Sequence, residues 1–472
     1  MACYYVGVYN PILMHSLTYP EALDYLYSFT DYGSLRTYRY SPETFDLGRM
    51  RALMARLGDP QERFPAIHVA GTKGKGSVSA LCASALRSAG YRTGFYTSPH
   101  LQDFAERIQV GGCWIPHERL AALVEEIQPH VAALTGLTTF ELTTALAFLH
   151  FARERVQAAV IEVGLGGRLD ATNILNRPVV TVITSISHDH THLLGNSLAE
   201  IAGEKAGIIK AGVPVVSAPQ LPNAQRRVEE VAAERGAPLT LVGRDWRYAS
   251  HWHSLAGQSF HVWSPDEQDR MDAVMAGRAE ADWTPLELEI PLLGFHQVTN
   301  AVTAYAALRL GEAHGLPISE EQIRSGFKNL SWPGRFEILS RSPIVVADAA
   351  HNRDSARKLR TALDDYFPGQ PVTLVFGAST DKDVAGMFDE LLPRVGYAIM
   401  TQAVHPRAWE PEELAEMARQ RGCPAVVVLP TRKGLERALE VSEADGVVLA
   451  TGSLFVVAEV RAAMAAVPVG SD

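Results

Sequence analysis

The amino-acid sequence predicts an α/β protein with two parallel β-sheets, each covered by helices. Short β-branched runs alternate with segments of helical periodicity along most of the chain. The 472 residues exceed the ~100 to 200 typical of one domain, and 47% apolar with 20% charged residues is a globular composition. We therefore expect two domains, at residues 1–295 and 296–472, with the joint around 294–334.

The first predicted sheet begins with FPAIHVAG, which is followed by a helix whose apolar residues recur at spacings of three and four. Its next strands are predicted within residues 158–164, 179–187 and 213–219. These runs are almost wholly apolar, as expected of strands that are buried on both faces of a parallel sheet.

The second predicted sheet begins at residues 344–351 and continues through PVTLVFGAS, YAIMTQAV, PAVVVLP and GVVLATGS. Helix candidates such as SARKLRTALDDYF and EPEELAEMARQRG lie between these strands. Residues 245–290 interrupt the rhythm, because they are rich in Trp and His and include a polar stretch. We expect a strand pair with a variable loop there.

Charge and cysteine content exclude several classes of protein. A formal charge of −10 would repel nucleic acid and anionic membranes, so we expect neither as a partner. The N-terminus has no basic flank before an apolar core, and no run of about 18 apolar residues occurs. Four cysteines without CxxC spacing favour a reduced, cytoplasmic protein without a structural metal. No feature specifies an oligomer interface, and we expect a monomer.

The segment GTKGKGSV, 71–78, lies between a predicted strand and an amphipathic helix. Its glycines allow successive N–H groups to face one anion, the helix adds its positive end, and Lys75 can neutralise the outer phosphates. We interpret it as a site for a nucleotide triphosphate. Because Gly76 stands between Lys75 and Ser77, the usual G-x-x-x-x-G-K-[ST] pattern is not met, and a structural βα turn is the alternative.

The segment IEVGLGGRLDATN, 161–173, ends an apolar strand in Glu162. A carboxylate at the carboxyl end of a buried parallel strand lies at the ligand-binding edge of the sheet, where it could bind Mg²⁺. The alternative is a structural ion pair between Glu162 and Arg168.

The segment SISHDHTHLLG, 185–195, follows another such strand and groups His188, His190 and His192 around Asp189. Three histidines invite a zinc interpretation, but no further ligands stand at a characteristic spacing. We favour a role beside the magnesium and phosphate site, with a solvated loop and a zinc site as alternatives.

The segment SLAEIAGEKAG, 197–207, predicts a helix with a capping box between Ser197 and Glu200 and with Gly207 at its end. Lys205 lies in the last turn. From the residues alone, the default interpretation of Lys205 is a solvated cation that complements the helix dipole.

In the second half, GFHQVTNAVTAYAAL opens a helix with Gln297 and Asn300, whose amides can either read a base or ribose or cap the helix. Arg335 lies beside a Pro-Gly turn, and Asp348 ends a strand of the second sheet. Arg335 facing the phosphates across a cleft would explain the need for two α/β domains, because a guanidinium binds phosphoryl oxygens in two places.

Motifs spread over about residues 18–460 resemble those of the Mur ligase superfamily, and within it the folylpolyglutamate synthase and dihydrofolate synthase branch. In family order they are GTKGKGS, TSPHL, TTFELTTALAF, EVGLGGRLDATN, DHTHLLG, GEKAGIIK, GFHQVTNA, WPGRFE, DAAHN, GASTDKD and TGSLF. The shared order makes the resemblance specific. It implies a P-loop-containing, Mur-ligase-like central domain and a smaller Rossmann-like α/β C-terminal domain.

The resemblance implies an ATP-dependent ligase that adds L-glutamate to the γ-carboxylate of a reduced folate and also joins glutamate to dihydropteroate. The acceptor carboxylate would attack the γ-phosphorus of ATP, and the amine of glutamate would capture the acyl phosphate. Lys75, Arg335 and Mg²⁺ would offset the charge of the transferring phosphoryl group.

Family positions carried over to this sequence imply the site residues. For Mg²⁺ they are Ser98, Glu162 and His190. For ATP they are Gly71, Thr72, Lys73, Gly74, Lys75, Gly76, Ser77, Gln297, Asn300, Arg335, Asp348 and His351. Lys75, Lys205 and His190 would be catalytic. Lys205 matches a lysine that is carbamylated in the family, and the resulting anion helps to hold magnesium. This implication replaces the default interpretation of Lys205 as a solvated cation. Ser453 matches a motif position without an assigned role.

Three segments resemble those that enclose dihydropteroate in family members that perform both reactions, although each could equally be a helix cap or core. They are Phe45, Asp46, Leu47 and Gly48; Thr139, Phe140 and Glu141; and Asp170, Ala171 and Thr172. Two features depart from the family pattern, namely an insert near 264–284 and Ala349, which replaces a glycine. Alanine is tolerated there only if φ is negative.

Two other functions stay as alternatives. Another Mur-type amino-acid ligase would share the ATP chemistry but would need a site for a uridine diphosphate sugar, whereas EALDYLYSFTDYG and FDLGRM resemble the folate branch. A nucleotide-binding switch would not need Arg335 and Asp348 on a second sheet. Phosphate release that requires both glutamate and a folate would separate a ligase from a switch.

Overall fold

The computed structural model describes residues 17–30, 45–189, 191–278, 283–405, 407–443 and 445–466. The chain divides into two compact α/β units. The first contains the chain up to Asp245 together with Thr303–Gly326, and the second contains Trp246–Val302 and the chain from Phe327 onwards. This division differs from the boundary expected at residue 295, because residues 246–295 cluster with the second unit.

A mainly parallel sheet forms the centre of the first unit. Its strands are β1 (Ala66–Ala70), β2 (Thr93–Tyr96), β3 (Ile108–Val110), β4 (Cys113–Trp114), β5 (Ala158–Glu162), β6 (Val180–Ile183), β7 (Val215–Ser217) and β8 (Leu239–Leu241). Their order is β4-β3-β2-β5-β1-β6-β7-β8. The predicted strands β1, β5, β6 and β7 are confirmed as parallel neighbours. The edge strand β4 and its neighbour β3 pair in antiparallel fashion, and both are too short to give a periodic sequence signal.

Helices cover this sheet. They are α1 (Tyr19–Tyr27), α2 (Leu47–Arg56), α3 (Lys75–Ser88), α4 (His117–Val131), α5 (Thr139–Arg153), α6 (Thr191–Leu194), α7 (Leu198–Ala206) and α8 (Pro222–Glu234). One apolar cluster joins α1, α2, α4 and α5 to the strands through Tyr96 and Ile161. Another joins α7 and α8 to Ile183 and Val215.

The second unit contains two sheets. The smaller one is antiparallel and consists of β9 (Arg247–Ser254), β10 (Gly257–Trp263) and β11 (Leu286–Ile290), with α9 (Gln268–Met275) between β10 and β11. The larger one consists of β12 (Glu337–Arg341), β13 (Ile344–Ala347), β14 (Val372–Phe376), β15 (Val395–Met400), β16 (Ala425–Val427) and β17 (Val447–Thr451). Its order is β12-β13-β17-β14-β15-β16, and only β12 runs antiparallel.

The remaining helices follow the predicted alternation. They are α10 (Phe295–Ala313), α11 (Glu320–Lys328), α12 (Arg353–Tyr366), α13 (Val384–Leu391), α14 (Pro411–Arg419), α15 (Thr431–Val441) and α16 (Leu454–Ala465). Every strand predicted in the second sheet is found, and the expected strand pair at 245–290 has a third strand, β11. Its addition completes a small meander of neighbouring antiparallel strands.

Two further expectations concern membranes and cysteines. Within the described ranges, each helix is too short or too polar to cross a bilayer. Cys82 and Cys423 are free and buried, whereas Cys113 is disulfide-bonded. The absence of CxxC spacing did not reveal the disulfide of Cys113, because spacing along the chain does not determine which cysteines pair.

Candidate active site

The carboxyl ends of four neighbouring strands carry most of the predicted site residues of the first unit. In sheet order, these strands are β2, β5, β1 and β6. Ser98 follows β2, Glu162 ends β5, residues 71–77 follow β1, and residues 184–189 follow β6. The carboxyl edge of a parallel sheet is where α/β proteins bind ligands. The structure therefore brings these residues, scattered in sequence, to one edge.

The loop after β1 has a backbone conformation that depends on glycine, and it leads directly into α3. Gly71 adopts a φ of 150°, and a Cβ atom there would lie 1.8 Å from the Thr184 hydroxyl oxygen. The N–H groups of Thr72 and Lys73 donate to the carbonyl of Ser185 at 2.9 and 3.0 Å, which fixes the loop to the segment after β6. The next residues begin α3, so their N–H groups have no acceptor within the helix and can face an anion.

Its two lysines have different positions. Lys73 forms an ion pair with Asp189 at 2.7 Å, with both side chains 13% exposed. Lys75 is the first residue of α3, at the positive end of the helix. Asp189 of the His-rich segment therefore anchors the loop. Of the histidines in that segment, His188 is exposed, whereas His190, predicted as a metal ligand and catalytic residue, lies outside the described residues.

Glu162 is a buried carboxylate with only 4% of its surface exposed. It accepts hydrogen bonds from the hydroxyl of Thr97 and, at 3.3 Å, from the N–H of Ser98. Arg168, the alternative partner considered for Glu162, forms a bidentate ion pair with Glu204, from Nη2 to Oε1 at 2.8 Å and from Nε to Oε2 at 3.2 Å. The carboxylate of Glu162 and the hydroxyl of Ser98 are hard oxygen ligands, so these residues fit Mg²⁺.

Lys205 lies in the last turn of α7 and is buried, with 4% of its surface exposed, and its Nζ donates to the carbonyl of Gly71 at 2.8 Å. The default interpretation as a solvated cation was wrong. Lys205 is buried because the turn after β5 packs closely on α7. A Cβ atom at Gly167, in that turn, would lie 2.7 Å from the Lys205 carbonyl oxygen. Burial, followed by the charge of Lys75, lowers the pKa of Lys205 to about 7.

Each predicted pteroate segment contains a helix cap. Asp46 caps α2 by accepting from the N–H of Gly48 at 2.7 Å. At the start of α5, Glu141 accepts from the N–H of Thr138 at 2.8 Å, as one half of a capping box. Asp170 accepts from the N–H of Thr172 at 3.0 Å and caps a short 3₁₀ helix. The capping alternative is thus observed in all three segments.

These three segments also converge in space. Arg49 of α2 lies 3.5 Å from Glu141 of α5, and the ring of Phe140 lies so close to Gly164 that a Cβ atom there would be 2.4 Å from it. Asp170 accepts from the N–H of Leu165, the residue after Gly164, at 2.9 Å. Burial raises the pKa of both Glu141 and Asp170. Phe140 and Asp170 therefore adjoin the turn that follows Glu162, and Arg49, next to the first segment, adjoins Glu141.

In the second unit, Gln297 and Asn300 are buried within the first two turns of α10, and the side-chain amide of Asn300 donates to the side-chain Oε1 of Gln297 at 2.9 Å. Both residues lie within the helix. Asp348 accepts from the N–H groups of Phe336 and Ala350, both at 2.8 Å. Burial raises the pKa of Asp348, which the charge of Arg335 opposes.

The loop after β13 contains the other matched positions. Nδ1 of His351 lies 2.9 Å from the carbonyl oxygen of Ala349, and φ of Ala349 is not positive, as an alanine requires. Ser453 caps α16 by accepting from Val456 at 3.1 Å. Sequence reasoning missed Phe336, which adopts a φ of 44° and supplies one of the two N–H groups to Asp348. The neighbouring Pro-Gly turn was its only signal.

Two family models match the chain, the Mur ligase middle domain over residues 69–308 and the Mur ligase, glutamate ligase domain over residues 334–454. A dihydrofolate synthase/folylpolyglutamate synthase from Bacillus subtilis is 36% identical over 452 residues, which cover 92% of this chain and 99% of that protein. An Escherichia coli protein of the same description is 35% identical over 422 residues, covering 89% and 91%.

Solved structures agree with these matches. A Mycobacterium tuberculosis folylpolyglutamate synthase complexed with ADP has a TM-score of 0.82 and 30% identity, covering 96% of this chain and 98% of that chain. E. coli FolC in complex with DHPP and ADP has a TM-score of 0.79 and 32% identity, covering 95% and 98%. Fold and phosphate loop thus define the class as a Mur ligase. Within that class, the chain belongs to the folylpolyglutamate synthase/dihydrofolate synthase family.

Proposed function

We propose that this protein is an ATP-dependent ligase that adds L-glutamate to folates and that also joins glutamate to dihydropteroate. The observation that carries the proposal is the meeting of the phosphate loop, Glu162 and Lys205 at one edge of the first sheet. Relatives that match almost the whole chain are named for both synthase activities, which supports the proposal.

The reaction has two steps. The acceptor carboxylate attacks the γ-phosphorus of ATP, giving an acyl phosphate and ADP, and the amine of glutamate then displaces phosphate to form the amide. The N–H groups at the start of α3 bind the phosphates, and Lys75 offsets the charge of the transferring phosphoryl group. Mg²⁺ supplies further charge compensation when it is bound, and Ser98 and Glu162 are the described residues that would hold it.

The second unit supplies the remaining residues that we assign to ATP, namely Gln297, Asn300, Arg335, Asp348 and His351. Asp348 supports this assignment, because its carboxylate holds the N–H of Phe336 and so fixes the turn that carries Arg335. A guanidinium in a fixed turn is suited to phosphoryl oxygens, which it binds through two parallel N–H groups.

Lys205 is assigned as a carbamylated residue. Its lowered pKa, about 7, leaves much of the amine neutral near neutral pH, and a neutral amine can add to carbon dioxide to form a carbamate anion. Labelling with ¹³C-bicarbonate should give a carbamate NMR signal that Lys205→Ala abolishes. Lys210→Ala should keep it, although the pKa of Lys210 is also lowered, to about 8.

A functional readout accompanies the labelling. Lys205→Ala should have low ligase activity that small carboxylic acids partly restore, because they replace the missing anion. Full activity of Lys205→Ala without any added acid would remove Lys205 from the reaction.

The acceptor site is assigned to the three segments around the turn after β5, where Phe140 offers a ring for a pterin to contact. Its position against Gly164, two residues beyond Glu162, supports this assignment. The caps observed in these segments are compatible with it, since a cap uses Asp46, Glu141 and Asp170 to position the backbone around the turn.

ADP formation by the purified protein tests the proposed function. With ATP, Mg²⁺, glutamate and either tetrahydrofolate or dihydropteroate, we expect ADP only when glutamate and an acceptor are both present. Turnover with one acceptor alone would restrict the enzyme to one of its two activities. ADP formation that requires neither glutamate nor an acceptor would indicate a nucleotide-binding switch. If neither acceptor supports turnover, the protein would be another Mur-type ligase.

A further inference from the structure

Two histidines and a glutamate meet on the small antiparallel sheet of the second unit. His251 lies on β9, His261 on β10 and Glu287 on β11. One potential ligand atom from each, a ring nitrogen or a carboxylate oxygen, lies within 4.8 Å of the other two. The three strands thus each contribute one side chain to a single cluster.

Strand register explains how the cluster forms. His261 lies directly opposite Glu287 in the pairing of β10 with β11. Between β9 and β10 the register shifts at Ser259 and Phe260, and His251 is the residue left without a partner across the ladder. Such bulges re-aim a side chain and recur in proteins next to functional sites.

The contacts within the cluster are close. Nδ1 of His251 lies 2.7 Å from Oε1 of Glu287, and the rings of His251 and His261 stack with centroids 4.6 Å apart and planes 25° from parallel. His251 is exposed, whereas His261 and Glu287 are half-buried. A cation that replaced this hydrogen bond, with Nδ1 and Oε1 moved slightly apart, would contact both residues and adjoin the second ring.

We propose that His251, His261 and Glu287 bind a divalent transition-metal ion, with Zn²⁺ as the fitting example. Two imidazoles and one carboxylate are a common zinc ligand set, and the fourth position is left to water. Two imidazoles among three ligands favour a transition metal over Mg²⁺, which prefers oxygen ligands, so this cluster differs chemically from the oxygen ligands of Glu162 and Ser98.

The geometry needs only side-chain adjustment. Tetrahedral zinc with bonds of ~2.0 to 2.1 Å places its ligand atoms roughly 3.3 Å apart, which lies between the 2.7 Å of the His251–Glu287 pair and the 4.8 Å within which the three ligand atoms lie. The exposed side chain of His251 can rotate to reach this spacing. The bound ion would link β9, β10 and β11 across both ladders, on either side of the insert that contains α9.

Zinc titration of the full chain tests the site. The protein is stripped with a chelator and titrated with Zn²⁺ by calorimetry, with excess Mg²⁺ present to occupy the magnesium site. We expect one saturable Zn²⁺ site per chain, weakened at least about 10-fold by His261→Asn and by Glu287→Gln. His253→Asn is the matched control, because it removes an exposed imidazole from the same strand, β9, without touching the cluster. It should bind Zn²⁺ as the unaltered chain does.

Absorption by Co²⁺ in place of Zn²⁺ adds a geometric readout, since tetrahedral Co²⁺ has intense visible bands that an exposed octahedral ion lacks. These bands should be lost in Glu287→Gln, which keeps the size of the side chain and so retains the fold; circular dichroism checks this. Equal Zn²⁺ affinity in both variants and the unaltered chain, or the absence of saturable binding, would overturn the proposal.

Discussion

At the scale of single residues, a substitution of Glu162 tests whether its buried carboxylate binds magnesium or has only a structural role. Glutamine has the same shape and keeps an oxygen that can accept from Thr97 and Ser98, but it lacks the charge that a cation needs. We expect Glu162→Gln to lower kcat on the order of 100-fold while leaving Tm almost unchanged. Steady-state kinetics and thermal unfolding measure the two quantities.

Glu126→Gln is the control for this variant. Glu126 is a partly exposed carboxylate of α4 that pairs with Arg153 of α5, so its loss should cost little. Near-normal ligation by Glu162→Gln at saturating Mg²⁺ would show that Glu162 does not hold the ion.

When Lys205 is not carbamylated, it should make the free energy of unfolding depend on pH in a predictable direction. Its pKa is about 7 in the folded protein and ordinary in the unfolded chain. Between these values the unfolded chain binds more protons, so the contribution of Lys205 to the free energy of unfolding rises with pH. Below about pH 7 burial of the charged amine costs several kcal/mol, a penalty that disappears towards pH 10.

Lys205→Met removes this penalty. In buffer free of carbon dioxide, the variant should be more stable than the unaltered chain at about pH 7, and the difference should vanish towards about pH 10. Urea unfolding at a series of pH values measures it. A difference that stays constant with pH would mean that the folded pKa of Lys205 is ordinary.

The same residue marks the limit of prediction from sequence. The capping box of Ser197 and Glu200 and the final Gly207 predicted α7 correctly. The environment of Lys205 depends on the turn at Gly167 and on the carbonyl of Gly71, both distant in sequence. Periodicity around Lys205 contains no information about either, so only the family resemblance pointed to a buried role.

At the scale of elements, strands buried on both faces were predictable, because apolar runs such as those of β5 and β14 are typical of the interior of a parallel sheet. Elements such as β4 and β8 were missed, since two or three residues cannot establish a period. The bulge in β9 could not be predicted from the sequence either, and neither could the cluster of His251, His261 and Glu287 that depends on it. The richness of this region in histidine was its only sequence signal.

The contact between α3 and α11 yields a prediction about packing. Ser84 donates to the carbonyl of Gly326 at 2.7 Å, and a Cβ atom at Gly326 would lie 2.4 Å from the Cα of Ala85. Because that neighbour is backbone, the two helices would have to separate. We expect Gly326→Ala to lower the free energy of unfolding by about 1 to 3 kcal/mol, measured by urea unfolding.

Gly311→Ala is the matched control for this prediction. Gly311 is also helical, but the nearest atoms to its added Cβ would lie 3.8 Å away, an ordinary contact. Alanine there should be neutral or stabilise by up to about 1 kcal/mol, because it favours the helix. Equal effects of the two substitutions would mean that α3 and α11 are not closely packed at Gly326.

At the scale of the whole molecule, the family motifs predicted the class of fold and the reaction, because they lie at the carboxyl ends of strands in both units. The assignment of residues to the two compact units was less predictable. Residues 246–295 belong with the second unit because β9, β10 and β11 cluster there, and long-range clustering of this kind leaves no mark in local sequence.

The most direct test of the central claim follows oxygen atoms from the acceptor into phosphate. If the acceptor carboxylate attacks ATP, then an acceptor labelled with ¹⁸O in that carboxylate transfers one labelled oxygen to phosphate when glutamate displaces it. We predict one ¹⁸O per phosphate with tetrahydrofolate and with carboxyl-labelled dihydropteroate, measured by ³¹P NMR. Phosphate without ¹⁸O would mean that water attacks ATP, and would contradict ligation through an acyl phosphate.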